Sequence, residues 1–134
     1  MKTKKAILCL AAGISQKSLI VKAKSLGYYV LAIDIDKNAI GFNFSDSYIV
    51  ESTHEPFKII DKLKKYINDF DWVGIINRSS GYPVKTVAIL SDFLNIPSFP
   101  VTSADIIINK NKLKFSCIKH NIPVGEFKIQ PDSY

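Results

Sequence analysis

Arginine is almost missing from this chain. Of 18 basic residues only Arg78 is arginine and the rest are lysine. The net charge of +6 would otherwise suggest a nucleic-acid or membrane-surface partner. A reader of nucleic acid relies on the planar guanidinium for bidentate contacts, and here the lysines sit singly on helical faces, as at Lys22, Lys24, Lys58, Lys62, Lys64 and Lys65. The charge is therefore read as solubilising, with no nucleic acid and no membrane expected. Cysteine is equally sparse. Cys9 and Cys117 lie far apart, without a C-x-x-C pair, and His54 and His120 are lone, which excludes a disulfide scaffold and leaves no metal ligand set. Free thiols of this kind suit a reducing cytoplasm. Long hydrophobic runs are absent too, since none approaches the roughly 18 residues a membrane span needs. The basic start and apolar run of "MKTKKAILCLAAGIS" imitate a secretory leader. Only Ala6 to Ile14 is apolar, however, and the helix and strand that follow make it a first buried strand. Six prolines and six glycines among 134 residues, with 47% hydrophobic residues, exclude disordered and collagenous chains.

What is present is an alternation of apolar runs and amphipathic stretches. Lys5 to Ala11 is continuously apolar, as in a parallel strand covered on both faces, and Gly13 ends it. Ser15 to Leu26 carries Leu19, Ile20, Ala23 and Leu26 at helical spacing, and Gly27 caps it. "YYVLAID" is a second strand, ending at Asp34, so the first third of the chain is a βαβ unit. "DSYIVE" reads as a third strand, "PFKIIDKLKKYINDF" as a helix and "DWVGIIN" as a fourth strand. "PVKTVAILSDFLN" is a helix with Pro83 in its first turn, and Ile96 to Phe99 is expected to be a fifth strand. A helix then opens at Asn109, a turn falls at Pro123, and a further strand is expected from Glu126 through "EFKIQ". The fold class is α/β: an open, doubly wound parallel sheet of about five strands with helices on both faces, Rossmann-like.

Ligands of such sheets gather at the carboxyl ends of the strands. The first loop, "AAGISQ", places Ala11, Gly13 and Gln16 where a dinucleotide fingerprint needs three glycines. Gln16 puts a long side chain where helix and strand must nearly touch, which argues against a nicotinamide site. Asp34 nevertheless stands where a ribose-binding acid would, and the favoured reading of Asp34 and Asp36 is a polar exit from the strand. The start of the first helix can still hold an anion through its free N–H groups. In "NRSSGYP" the lone arginine, two serines and Gly81 suit a carboxylate or phosphate, and equally an ordinary solvated turn. No G-x-S-x-G elbow accompanies Ser79 or Ser80, so serine nucleophile chemistry is not expected and no catalytic residue is assigned.

"LAAGISQKSLIVKAKSLGYYVLAIDID", "AIGFNFSDSYIVES" and "DWVGIINRSSGYPVKTVAILSDFLNIPSF", taken in order, resemble the N-terminal, pre-ATP-grasp domain of ATP-grasp enzymes. That family includes biotin carboxylase, the large subunit of carbamoyl phosphate synthetase and the amino-acid ligases. The most specific match is the spacing from Lys110 to Pro123, which in the family joins an Asp-Lys pair to a Gly-(Ile/Val)-Pro turn. Asn109 replaces the usual Asp and Asn121 the usual Gly; the first keeps capping ability and the second tolerates a left-handed backbone. The resemblance implies a pre-ATP-grasp domain over residues 1–108, and over residues 109–134 a linker helix and the start of an ATP-grasp domain lying beyond this chain. It implies an ATP-dependent carboxylate–amine or related ligase that forms an acyl phosphate, with ATP and Mg²⁺ used by the full-length enzyme and none expected on this piece alone. Lys110 is implied as a contact to the nucleotide phosphates. Gly13, Ser15, Gln16, Asn77 and Arg78 are implied to face a small-molecule carboxylate or amine substrate. A freestanding Rossmann or flavodoxin-like module binding a nucleotide or coenzyme is the alternative, and a homodimer scaffold is a third reading.

Overall fold

The structure, a computed structural model, describes residues 4–128. Strand β1 (Lys5–Leu10) leads into helix α1 (Ile14–Ser25), and β2 (Tyr29–Asp34) follows. A short 3₁₀ turn (Ile40–Phe44) precedes β3 (Ser47–Val50). Helix α2 (Pro56–Leu63) tightens into a 3₁₀ turn (Lys64–Tyr66) before β4 (Asp71–Asn77). Helices α3 (Tyr82–Phe93), α4 (Val101–Ile107) and α5 (Lys110–Lys119) complete the described chain.

Among the described residues the sheet has four strands, all parallel, in the order β3-β2-β1-β4. The strand order reverses between β1 and β4, so the connections that follow these two neighbours, through α1 and α3, leave on opposite faces of the sheet, the arrangement that opens a ligand crevice between carboxyl ends in open α/β sheets. Period-two geometry divides the core. Ala6, Leu8 and Leu10 of β1 pack with Leu31, Ile33, Ile59, Leu63 and Leu90 on the face covered by α2 and α3. Cys9 packs with Val30, Ala32, Ile20, Ala23 and Phe42 on the face covered by α1 and the 3₁₀ turn. Both faces of β1 and β2 are thus dry, which is why their sequences show no polar alternation. Each large side chain so buried contributes about 1.5–3 kcal/mol.

The expected fifth strand is not formed. Ile96 to Phe99 has no regular structure, and its backbone has few donors to offer a ladder. The Ile96 N–H is spent on Ser91 O at 2.9 Å, closing the end of α3 around Asn95 at φ 54°. Pro97 has no N–H at all, and Pro100 follows at once as the N-cap of α4. Helix α4 was not foreseen from the sequence. The caps read from the sequence do form: Gly27 takes φ 87° after α1, and the Asn109 side chain accepts from the N–H groups of Asn111 (3.1 Å) and Lys112 (3.0 Å). Asn121 adopts φ 56°, and the Ile122 N–H returns to Cys117 O at 2.8 Å. Of the strand expected from Glu126, residues 126–128 have no regular structure and Ile129 and Gln130 lie outside the described residues. Phe127 lies edge-on to Phe115 of α5, with ring centroids 6.0 Å apart.

Candidate functional site at the carboxyl ends of β1 and β4

Leu10 and Asn77 are register partners at the ends of β1 and β4, so the loops that leave these strands start side by side. The β1 loop turns at once: Ala11 takes φ 74°, a left-handed conformation that glycine would hold more easily. The next residue is gripped from two sides. The Ala12 N–H donates to Asp34 Oδ2 at 2.8 Å, and Ala12 O accepts from the Gly41 N–H at 2.7 Å. Asp34 Oδ1 accepts from the Asp36 N–H at 2.9 Å, so both carboxylate oxygens are engaged by backbone. Asp34 therefore ties the loop after β1 to the loop after β2, which agrees with its reading as a strand exit.

Gly13 is the N-cap of α1 and offers no side-chain cap. The first N–H groups of a helix have no partner within it, and at α1 they are oriented toward this loop. Gln16, one turn in, is buried, with its Oε1 3.5 Å from where a Cβ on Gly13 would stand.

The β4 loop reaches the same place. Arg78 is exposed, and its Nη1 donates to Ser15 O in the first turn of α1 at 2.9 Å. Asn77 is half-buried and locks its own turn, donating from Nδ2 to Ser79 O (3.0 Å) and accepting from the Ser79 N–H (2.9 Å). A cavity of about 350 Å³ opens beside it, lined by Ile75, Asn77, Ser79, Val84, Val87 and Phe99. Gly13, Ser15, Gln16, Asn77 and Arg78 are therefore brought to one end of the sheet. Lys110 is not joined to them by any hydrogen bond or ion pair among the described residues: it is exposed at the first position of α5, which packs on α4. Gly41 was missed by sequence reading. A Cβ there would stand 2.6 Å from Ala12 O and 2.7 Å from Ile20 Cδ1, so the β1 loop depends on its bareness.

The chemistry on offer is binding and orientation. Burial, and then the charge of Asp34, push the Cys9 thiol up to about 12, so it stays neutral and inert as a nucleophile. Among the described residues no three His, Cys, Asp or Glu side chains are grouped to hold a metal ion, and no helix is long and apolar enough to cross a membrane.

No family model matches the chain. A formate-dependent phosphoribosylglycinamide formyltransferase from Prochlorococcus marinus (strain MIT 9515) is 38% identical over 66 residues, 49% of this chain and 17% of that protein. Among solved structures, phosphoribosylglycinamide synthetase from Anaerococcus prevotii superposes with a TM-score of 0.72 at 24% identity, over 88% of this chain and 29% of its own. N5-carboxyaminoimidazole ribonucleotide synthetase from Thermotoga maritima gives 0.68 at 25% identity, over 96% of this chain and 34% of its own. The chain thus spans about a third or less of the length of the relatives it matches. These two neighbours are ATP-grasp ligases, and an N5-carboxyaminoimidazole synthetase from Staphylococcus aureus, which shares the fold with a TM-score of 0.64 at 15% identity over 90% of this chain and 31% of its own, was solved with ADP.

Proposed function

We propose, for a chain that corresponds to an N-terminal fragment of the ATP-grasp ligase superfamily, that it is the acceptor-side domain of an ATP-dependent carboxylate–amine or related ligase. The observation that supports this most is the junction of the two loops at the switch point of the sheet. There Arg78 holds the first turn of α1 and the neighbouring cavity is lined by Asn77 and Ser79. Such a domain positions a small-molecule carboxylate or amine, while a partner domain supplies the triphosphate.

In this reading residues 1–108 form the substrate-side domain, and residues 109–134 carry the chain toward an ATP-grasp domain. The reaction forms an acyl phosphate from a carboxylate and the γ-phosphate of ATP, and an amine or other nucleophile then displaces phosphate. Mg²⁺ and lysines neutralise the phosphate oxygens in that chemistry. Lys110, exposed at the start of α5, is positioned to present its ammonium outside this domain and is assigned to the nucleotide phosphates in the assembled enzyme. No group at the strand ends is assigned as a general base or nucleophile, so these residues alone catalyse nothing.

The test is an acyl-phosphate trap. The full-length gene product bearing this chain, incubated with ATP, Mg²⁺ and a panel of carboxylates and hydroxylamine, is expected to yield a hydroxamate and ADP. Residues 1–134 alone are expected to yield neither. Absence of carboxylate-dependent ADP formation by the full-length product across the panel would count against the ligase reading.

A further inference from the structure

We propose that the chain carries a second small-molecule site, at the outer edge of the sheet, which takes a single flat heteroaromatic ring bearing a carboxylate. The site shares no residue with the loops after β1 and β4, and it stands independently of the function proposed above.

A cavity of about 300 Å³ lies between the loop after β2 and the edge strand β3, lined by Lys37, Asn38, Ala39, Phe42, Asn43 and Tyr48. That volume is at the small end of ligand pockets and suits one ring with its substituents.

One wall is aromatic and held in place. Phe42 belongs to the core cluster that contains Ile20 and Val30, and Tyr48 of β3 stacks on it with ring centroids 4.5 Å apart and planes 19° from parallel. Tyr48 nevertheless remains 54% exposed. The tyrosine is thus oriented by a core residue while offering surface to a second flat partner. The backbone beneath is pinned at four points. The Asn38 N–H donates to Asp36 Oδ1 (2.9 Å), the Ala39 N–H to Asp36 O (2.9 Å), the Phe42 N–H to Ala39 O (3.0 Å) and the Gly41 N–H to Ala12 O (2.7 Å). A cavity built on such a frame needs little ordering when a ligand enters.

The polar groups choose the ligand. The lining holds one ammonium and no carboxylate, so it favours a negative charge, and a lone lysine without an arginine fork matches the single charge of a carboxylate. Asn38 and Asn43 each present a carbonyl acceptor and an NH₂ donor. Neither carboxamide, nor the Lys37 ammonium, makes a hydrogen bond or ion pair among the described residues, and the neighbouring Asp36 does not pair with Lys37 there. Two carboxamides read an edge on which donors and acceptors alternate, as they do in a cyclic imide.

The experiment is a titration of the isotopically labelled 134-residue chain, followed by NMR at constant ionic strength, with three probes. Orotate has both the imide edge and the carboxylate, uracil only the edge, and benzoate only the carboxylate. Orotate is expected to bind tightest, moving the side-chain NH₂ signals of Asn38 and Asn43 and the ring signals of Tyr48 to saturation. Lys37→Ala, at an exposed position without internal partners, is expected to weaken orotate about tenfold and to leave uracil unchanged. Tyr48→Leu is expected to weaken both by about fivefold, and Lys37→Ala decides alone if that variant does not fold. No saturable movement with orotate, benzoate or uracil binding as tightly as orotate, or orotate affinity unchanged in Lys37→Ala would overturn the site. The titration contains no nucleotide and the hydroxamate trap needs none of these probes, so either reading can fail without the other.

Discussion

Ala11 is a residue in a conformation made for glycine. At φ 74° its Cβ crowds the backbone, and the loop holds it there because Ala12 is pinned by Asp34 and Gly41. Replacing it with glycine removes that strain at the expense of extra freedom in the unfolded chain, so Ala11→Gly is expected to gain about 0.5–1 kcal/mol in denaturant unfolding. Gly41 presents the opposite case. An added methyl would meet Ala12 O at 2.6 Å, a backbone atom that can yield only by moving the site loop. Gly41→Ala is expected to lose about 1–3 kcal/mol and to shift the amide signals of residues 11–13. Cys9 is fully buried, with its thiol pushed up to about 12. Alkylation at pH 8 should therefore leave Cys9 unmodified in the native protein and label it once denaturant is added; native labelling would show that this core face opens. Some of this was legible in sequence. The fingerprint spacing flagged Ala11 and Gln16, since each is measured against a glycine that is missing. Gly41 gave no such signal, because its contact is with a loop distant in sequence.

At the scale of elements, strands and helices with strong apolar patterning were legible: β1, β2, β4, α1 and α3 lie where the sequence placed them. The errors fall where local signals are weak. Ile96 to Phe99 has strand-like residues, but helix capping and Pro97 remove the donors a ladder needs. Helix α4 follows Pro100 with only seven residues and a single buried side chain, Ala104, too short a period to read. The joint between α1 and β3 carries a pH dependence. Burial pushes the Asp46 carboxyl up, but hydrogen bonds from Lys24 and from the Val30 N–H, with the charges of Lys24 and Lys4, hold it below its ordinary value of 3.8. A depressed folded-state pKa stabilises the protein above the unfolded value, and that contribution is lost as pH falls through the folded one. Stability is therefore expected to decline below about pH 4, and Asp46→Asn should be less stable at neutral pH with a flatter acid limb. An unchanged limb in thermal melts from pH 7 to pH 2 would remove Asp46 from the account.

The whole molecule divides its apolar surface unevenly. Helices α1 to α3 each bury residues in the core, such as Ile20, Ile59 and Leu90, although Ile14, Val21 and Phe57 stay exposed, whereas α5 buries no residue completely and leaves Leu113, Phe115 and Ile118 exposed. The fold class and the order of the pieces were legible in sequence, because alternating β and α patterns constrain topology strongly. The meeting of Arg78 with Ser15 was legible only as a shared strand end, since its geometry depends on how two loops leave adjacent strands. The division of labour proposed for the molecule is that this domain holds the acceptor and another holds the triphosphate. The most direct measurement is calorimetric titration of ATP–Mg²⁺ into residues 1–134 and into the full-length gene product. Heat of saturable binding is expected from the full-length protein, reduced by Lys110→Ala, and none from residues 1–134. Stoichiometric binding of nucleotide by residues 1–134 alone would contradict the account and identify a self-sufficient nucleotide-binding module.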